Sequence, residues 1–397
     1  MDAWAIFERA MVCHKQGDLA QAESLYQKLL STHPDHGVVN HLMGVLRAQQ
    51  ERYDDALPFY EASLKTKPGD PAVLLDAGNA LQKLKRFDEA LNYTDAALAA
   101  RPGYFEAINN RGIVLRNLKR PAEALACFDA ALTLKPQDAP VWFNRGNALQ
   151  ELRRLEEALE SFDRALAIRP GYVEAQLNRG VTLHQMRRFA EALAMFDQLL
   201  AVDPSHPKVF GEALASALHL CDWARMAQFA AEIPARVKDG ITEIPPLTLM
   251  NYSSDPALLL RCAQDASVAM APKRAATLWS GEIYRHDRVR VAYLSYDFRV
   301  HPVAFQLTQV LETHDRTRFE IIGISSGPDD GSETRARMIR TLDQFHDVRT
   351  FTPLQIAETL RALEVDIVVD LNGHTEGTSF PALAHRPCPV QTTWLGY

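Results

Sequence analysis

The chain has 397 residues, 47% hydrophobic and 23% charged, with a net charge of −7. Its length suggests about two or three domains, and no apolar run reaches the roughly 18 residues of a membrane span. The acidic balance argues against wide contact with nucleic-acid phosphates, and the start MDAWAIFERA lacks the basic region of an export signal.

The cysteines Cys13, Cys127, Cys221, Cys262 and Cys388 are scattered and never form a CxxC pair. That usage fits a reducing cytoplasm and argues against a disulfide scaffold or a structural zinc site. His33 with His36, and His385 with Cys388, are isolated pairs beside prolines, so no metal is assigned to them.

The first half of the chain repeats. Pro34, Pro68, Pro102, Pro136, Pro170 and Pro204 are each 34 residues apart. Ala22, Ala56, Ala90, Ala124, Ala158 and Ala192 keep the same step, as do Gly44, Gly78, Gly112, Gly146 and Gly180, with Ala10 in the first unit. Tyr26, Tyr60, Phe128, Phe162 and Phe196 complete the pattern, and Thr94 breaks it. This is the tetratricopeptide signature: two helices per unit, small residues where they touch, an aromatic between them and a proline after the second helix. Six units are predicted over residues 3–206, stacked as an α-solenoid whose first helices line a concave face.

Two residues before the small Gly or Ala stand Asp76, Asn110, Asn144 and Asn178, whereas Glu8 and Leu42 hold the place in the first two units. An asparagine both donates and accepts, so a row of them can hold a peptide main chain without reading its side chains. The same side chains would equally serve to bond the neighbouring repeat or water.

From Pro207 the 34-residue register is lost, although helical runs persist, and residues 207–287 read as a helical connector with a proline-rich break at GITEIPPLTLMNYSSDP. Residues 288–397 change period. VRVAYLS, FEIIGIS, FHDVRTF, DIVVDL and VQTTWLG alternate with helical stretches, which predicts parallel strands in a doubly wound sheet. Ligands of such sheets sit beyond the carboxyl ends of the strands, where SYDFRVHP and LNGHTEG fall.

The repeats, the connector with CDW, and then YLSYDFRVHP, GPDDG, DLNGHTEG and RPCPVQTTWLGY together resemble the protein O-linked N-acetylglucosamine transferases, including bacterial homologues and the plant SPINDLY-like proteins. The resemblance implies a partial α/β domain, the amino-terminal Rossmann-like half of a GT-B glycosyltransferase. It also implies inverting transfer of a sugar from a nucleotide donor such as UDP-GlcNAc to serine or threonine hydroxyls of polypeptides bound by the repeats. In that family WLGY is followed by proline and glycine and by a second half that binds most of the nucleotide. The expectation is therefore that Tyr397 interrupts a motif, in a fragment or a truncated gene, and that these residues alone do not turn over. The alternative is a non-catalytic tetratricopeptide adaptor with a vestigial transferase domain.

His301 matches the histidine of the family's DFxxHP motif, which faces sugar and acceptor and acts there as general base or as an orienting group. Read without the resemblance, it is a loop histidine capping the next helix, with Pro302 in the first turn. Asp370, Asn372 and His374 form either a tight turn or a donor contact. Ser379 stands where the family often has arginine, which weakens any anion contact there. Leu395 and Gly396 match positions near the sugar. No Asp-x-Asp pair occurs, and Asp329–Asp330 suits a turn, so a metal-independent route with no cofactor is expected. The partners expected are polypeptide substrates and a nucleotide sugar, without nucleic acid or membrane. A homo-oligomer is compatible with the sequence.

Overall fold

The computed structural model describes residues 3–240, 244–271, 275–375 and 377–394. The chain forms two compact units, residues 1–179 and 180–397.

Along the chain run α1 (Ala3–Lys15) and α2 (Leu19–Thr32), α3 (Gly37–Gln49) and α4 (Tyr53–Thr66), α5 (Pro71–Lys83) and α6 (Phe87–Ala100), α7 (Phe105–Asn117) and α8 (Pro121–Leu134), α9 (Ala139–Glu151) and α10 (Leu155–Ile168), then α11 (Val173–Gln185) and α12 (Phe189–Val202). Each second helix stops two residues before its proline. The intervening residue, such as His33 at φ −136° and ψ 72°, has left the helical region, as the residue before proline must. Each first helix ends on a left-handed residue: Gly17, Glu51, Lys85, Lys119, Arg153 and Arg187. Only the first is glycine, so this stop carries almost no compositional signal.

The small residues earn their positions by contact. Ala22, Ala56, Ala90, Ala124, Ala158 and Ala192 are fully buried, and Phe128, Phe162 and Phe196 are packed without exposure. A carbon added to Gly146 would stand 2.5 Å from the Phe162 ring, and one on Gly112 2.6 Å from Phe128. The glycine exists to let the aromatic in.

The structure corrects one reading. Helices α13 (Pro207–Leu220) and α14 (Trp223–Lys238) begin 34 residues after α11 and α12, and Cys221 takes the left-handed position at φ 52°. The register of helix starts therefore continues beyond Pro207. The signature fades there because Leu214 and Met226 occupy the small positions. Packing changes accordingly, with Phe210 and Phe229 meeting edge to face at 5.4 Å.

After α15 (Pro246–Leu249) and α16 (Pro256–Met270) the chain enters the sheet. Its elements are β1 (Val289–Ser295), α17 (Pro302–Thr313), β2 (Phe319–Ser325), α18 (Glu333–Arg340), β3 (Gln344–Asp347), α19 (Pro353–Ala362), β4 (Ile367–Asp370), α20 (Phe380–Leu383) and β5 (Val390–Thr393). The strands are parallel in the order β3-β2-β1-β4-β5. Alternation along the strands divides the core between two faces. Ala292, Leu294, Ile322, Ile324 and Val368 pack with Ile356 and Leu360 of α19, while Val291, Tyr293, Ile321 and Val369 pack with Leu307 and Leu311 of α17. Both apolar faces are thus covered by helices, as the alternating pattern predicted. The order reverses between β1 and β4, and ligands of such sheets bind beyond the carboxyl ends at this point.

Candidate functional site at the β1 and β4 strand ends

Asn372, just beyond β4, ties the two strand ends together. Its Oδ1 accepts from the Tyr296 N–H at 2.7 Å and its Nδ2 donates to Asp297 Oδ2 at 2.9 Å. It is 1% exposed, so these bonds are made away from water and each is worth roughly 1 kcal/mol or more. Tyr296 is held from the other side by backbone: a side chain on Gly327 would lie 1.7 Å from the Tyr296 carbonyl oxygen, an approach only glycine allows.

Asp297 is 5% exposed and satisfied on both oxygens. Oδ1 accepts from Arg299 Nε and Nη2 at 3.1 and 3.0 Å, and Oδ2 lies 3.5 Å from His301 Nδ1 in addition to its Asn372 bond. The loop is also fixed from β2, because Asp330 Oδ2 accepts from the Val300 N–H at 2.8 Å. That bond and one to Ser332 hold the Asp330 carboxyl below its usual range. Asp329 accepts from the Gly331 N–H, so the adjacent aspartates build a turn.

His301 is the N-cap of α17. Its Nδ1 accepts from the Val303 N–H at 3.3 Å, and Pro302 fills the first turn. The ring is not interior: 34% of the side chain is exposed. Among the described residues no group bonds its Nε2.

Asp370 is 1% exposed, with Oδ2 accepting from Gly373 N at 2.8 Å and Oδ1 from Asn372 N at 3.3 Å. Burial pushes this carboxyl up, against the pull of those two N–H groups and His374. It shapes the turn that aims Asn372. His374 points elsewhere, with Nε2 3.4 Å from Ser267 Oγ of α16 and Nδ1 buried without a partner among the described residues. A cavity of about 490 Å3 opens beside it, lined by Ser267, Asp370, Phe380, Gln391 and Thr393. Ser379 is buried. Leu395 and Gly396 lie outside the described residues.

The repeat positions are engaged with one another. Asn110 Nδ2 donates to Asn79 Oδ1 at 2.6 Å, Asn144 Nδ2 to Asn109 Oδ1 at 3.1 Å, and Asn178 Nδ2 to Asn147 Oδ1 at 2.6 Å. Asp76 pairs with His41 at 2.7 Å. Of the two readings of this row, bonding between neighbouring repeats is present in the free chain. Asn110 and Asn144 each donate one amide N–H in these bonds where two exist.

Sequence reasoning passed over Asp297, although it lies in the quoted SYDFRVHP. The available signal was an acid four residues before a histidine, in a loop leaving a buried strand.

Residues 265–397 match the glycosyl transferase family 41 profile, and residues 2–69, 47–110, 105–138, 139–172 and 173–206 match tetratricopeptide repeat profiles. The chain is 25% identical over 193 residues to the probable UDP-N-acetylglucosamine–peptide N-acetylglucosaminyltransferase SEC of Arabidopsis thaliana, covering 45% of this chain and 20% of that protein. It is 30% identical over 112 residues to the probable UDP-N-acetylglucosamine–peptide N-acetylglucosaminyltransferase SPINDLY of the same plant, covering 28% and 12%. The chain thus spans a fifth or less of these relatives. A tetratricopeptide repeat protein from Parabacteroides merdae shares the fold at a TM-score of 0.51 and 17% identity, over 62% of this chain and 98% of that one. Residues 265–397 thus carry the glycosyl transferase family 41 match, and the chain joins them to a run of tetratricopeptide repeat matches.

Proposed function

We propose that the protein is an O-glycosyltransferase that passes a sugar, N-acetylglucosamine from its UDP donor in the first instance, to serine or threonine hydroxyls of polypeptides held by the repeats. The observation that carries this reading is the Asn372 bridge. It gathers Asp297 and His301 at the strand-order reversal of a family 41 segment, with His301 Nε2 open to a ligand. In the reaction the acceptor hydroxyl oxygen bonds to the anomeric carbon as the bond to the nucleotide diphosphate breaks, and His301 takes the hydroxyl proton. The diphosphate charge is met by protein dipoles and cations rather than by a metal. The amide groups of Asn110, Asn144 and Asn178, and the Asp76 carboxylate, hold the acceptor's main chain. The protein acts in the cytoplasm. Among the described residues no helix is long and apolar enough to cross a membrane.

The test is transfer of labelled N-acetylglucosamine from UDP-N-acetylglucosamine to Ser/Thr peptides by the intact gene product, beside its His301→Ala variant. Label on peptide hydroxyls that the variant abolishes supports the reading. Peptide binding with neither transfer nor binding of UDP or GDP sugars would replace it with the adaptor reading.

A further inference from the structure

We propose that Asp297 is the positioning residue of this site: it selects the ring form of His301 in which Nδ1 carries the proton and Nε2 presents a lone pair. Two groups compete for Nδ1, and they demand opposite protonation. The Val303 N–H, 3.3 Å away, needs a lone pair on Nδ1, which leaves the proton on Nε2 and makes the exposed side of the ring a donor. The Asp297 carboxylate, 3.5 Å away, needs a proton on Nδ1, which leaves Nε2 able to accept one. The hydroxyl step of the proposed function requires the second form; its chemical meaning rests on that reading, while the geometry does not.

Burial decides the competition. Asp297 is 5% exposed and fixed by Asn372 Nδ2, by Arg299 and, through its own N–H, by Ser295 Oγ at 2.9 Å, so it cannot turn away to water. The Val303 N–H belongs to a helix first turn beside a ring that is one-third exposed, where water can replace the cap. At 3.5 Å the carboxylate is at ion-pair distance, and a small closure brings it to a hydrogen bond with an ionised acceptor, which is worth about twice a neutral one. The charged groups around this ring are Asp297 and Arg299 on its own loop, and Asp330 on the loop after β2, which holds the loop through Val300. Asn372 reaches the ring only through Asp297, from which it is 75 residues distant in the chain, so the turn after β4 acts on the tautomer.

The two forms are distinguished by the two-bond nitrogen–proton couplings of the His301 ring in the 15N-labelled protein, recorded above the usual imidazole titration range and assigned with His301→Asn. The expected result is a majority of the Nδ1–H form in the wild type and a roughly tenfold fall of its ratio to the Nε2–H form in Asp297→Asn, the size one charge-assisted bond supports. A wild-type majority of the Nε2–H form, or an unchanged ratio in folded Asp297→Asn, overturns the proposal. The wild-type spectrum decides the matter if the variant does not fold. Sugar transfer by a protein whose His301 is Nε2–H would sink this inference and leave the function standing; an Nδ1–H ring without transfer does the reverse.

Discussion

Gly146 and Phe162 occupy one space: a carbon added to the glycine would meet the ring edge at 2.5 Å. Gly78 faces Thr94 instead, where the same carbon would stop 3.2 Å from Cγ2. Gly146→Ala must displace a ring that is fully buried, and is expected to cost about 1–3 kcal/mol. Gly78→Ala meets a methyl that needs to yield only slightly and gains roughly 0.5–1 kcal/mol of helix propensity, so its net effect is near zero. Urea midpoints of the two variants check this, and equal losses would contradict the packing argument.

His301 caps α17 in one ring form and accepts a proton in the other, and the two roles separate by substitution. With the Nδ1–H form in the majority the cap is weak, so His301→Ala is expected to cost about 0.5 kcal/mol or less in stability while slowing transfer ~10²–10⁴-fold. His301→Asn supplies a capping oxygen and is expected to match or exceed wild-type stability and to recover none of the rate. Recovery of transfer by asparagine would show that the ring accepts no proton.

Asn144→Ala removes a bond to Asn109 in the preceding repeat and a group offered to substrate. It is expected to lower repeat stability by about 1 kcal/mol and to weaken peptide binding by a similar amount, read by calorimetry. Lost stability with unchanged peptide affinity would make the row purely structural.

Asp370 gives a pH dependence with a definite sign. Its folded carboxyl is raised above the unfolded value of 3.8, chiefly by burial. The folded chain therefore holds this proton more tightly than the unfolded chain. Its contribution to stability is full below 3.8 and is lost as pH rises through the folded value. The stability of wild type relative to Asp370→Asn should accordingly fall as pH rises above about 4 and then level off, in denaturant titrations at a series of pH values. A difference that grows in favour of wild type with rising pH would contradict the burial of this carboxyl.

The repeats were legible because their interactions are local. A helix pair, its proline stop and its alanine contact all fall within 34 residues, so each unit writes its own packing into the sequence. The seventh pair escaped for the same reason reversed: Leu214, Met226 and Phe229 fill the space by other means, while the spacing that persists has no residue type attached to it. Parallel strands were legible from alternation with helices.

Their order was not, and the site depends on the order. Only by setting β4 beside β1 does the sheet put the Asn372 amide on Asp297 and the Tyr296 N–H, across 75 and 76 residues. The asparagine row likewise took its partners from tertiary contact, since side chains 31 or 35 residues apart meet only once the helices stack. Local periodicity determines which segments are helix or strand, because those bonds close within a segment. Which polar groups meet is set by burial, which leaves them no water and so leaves them one another.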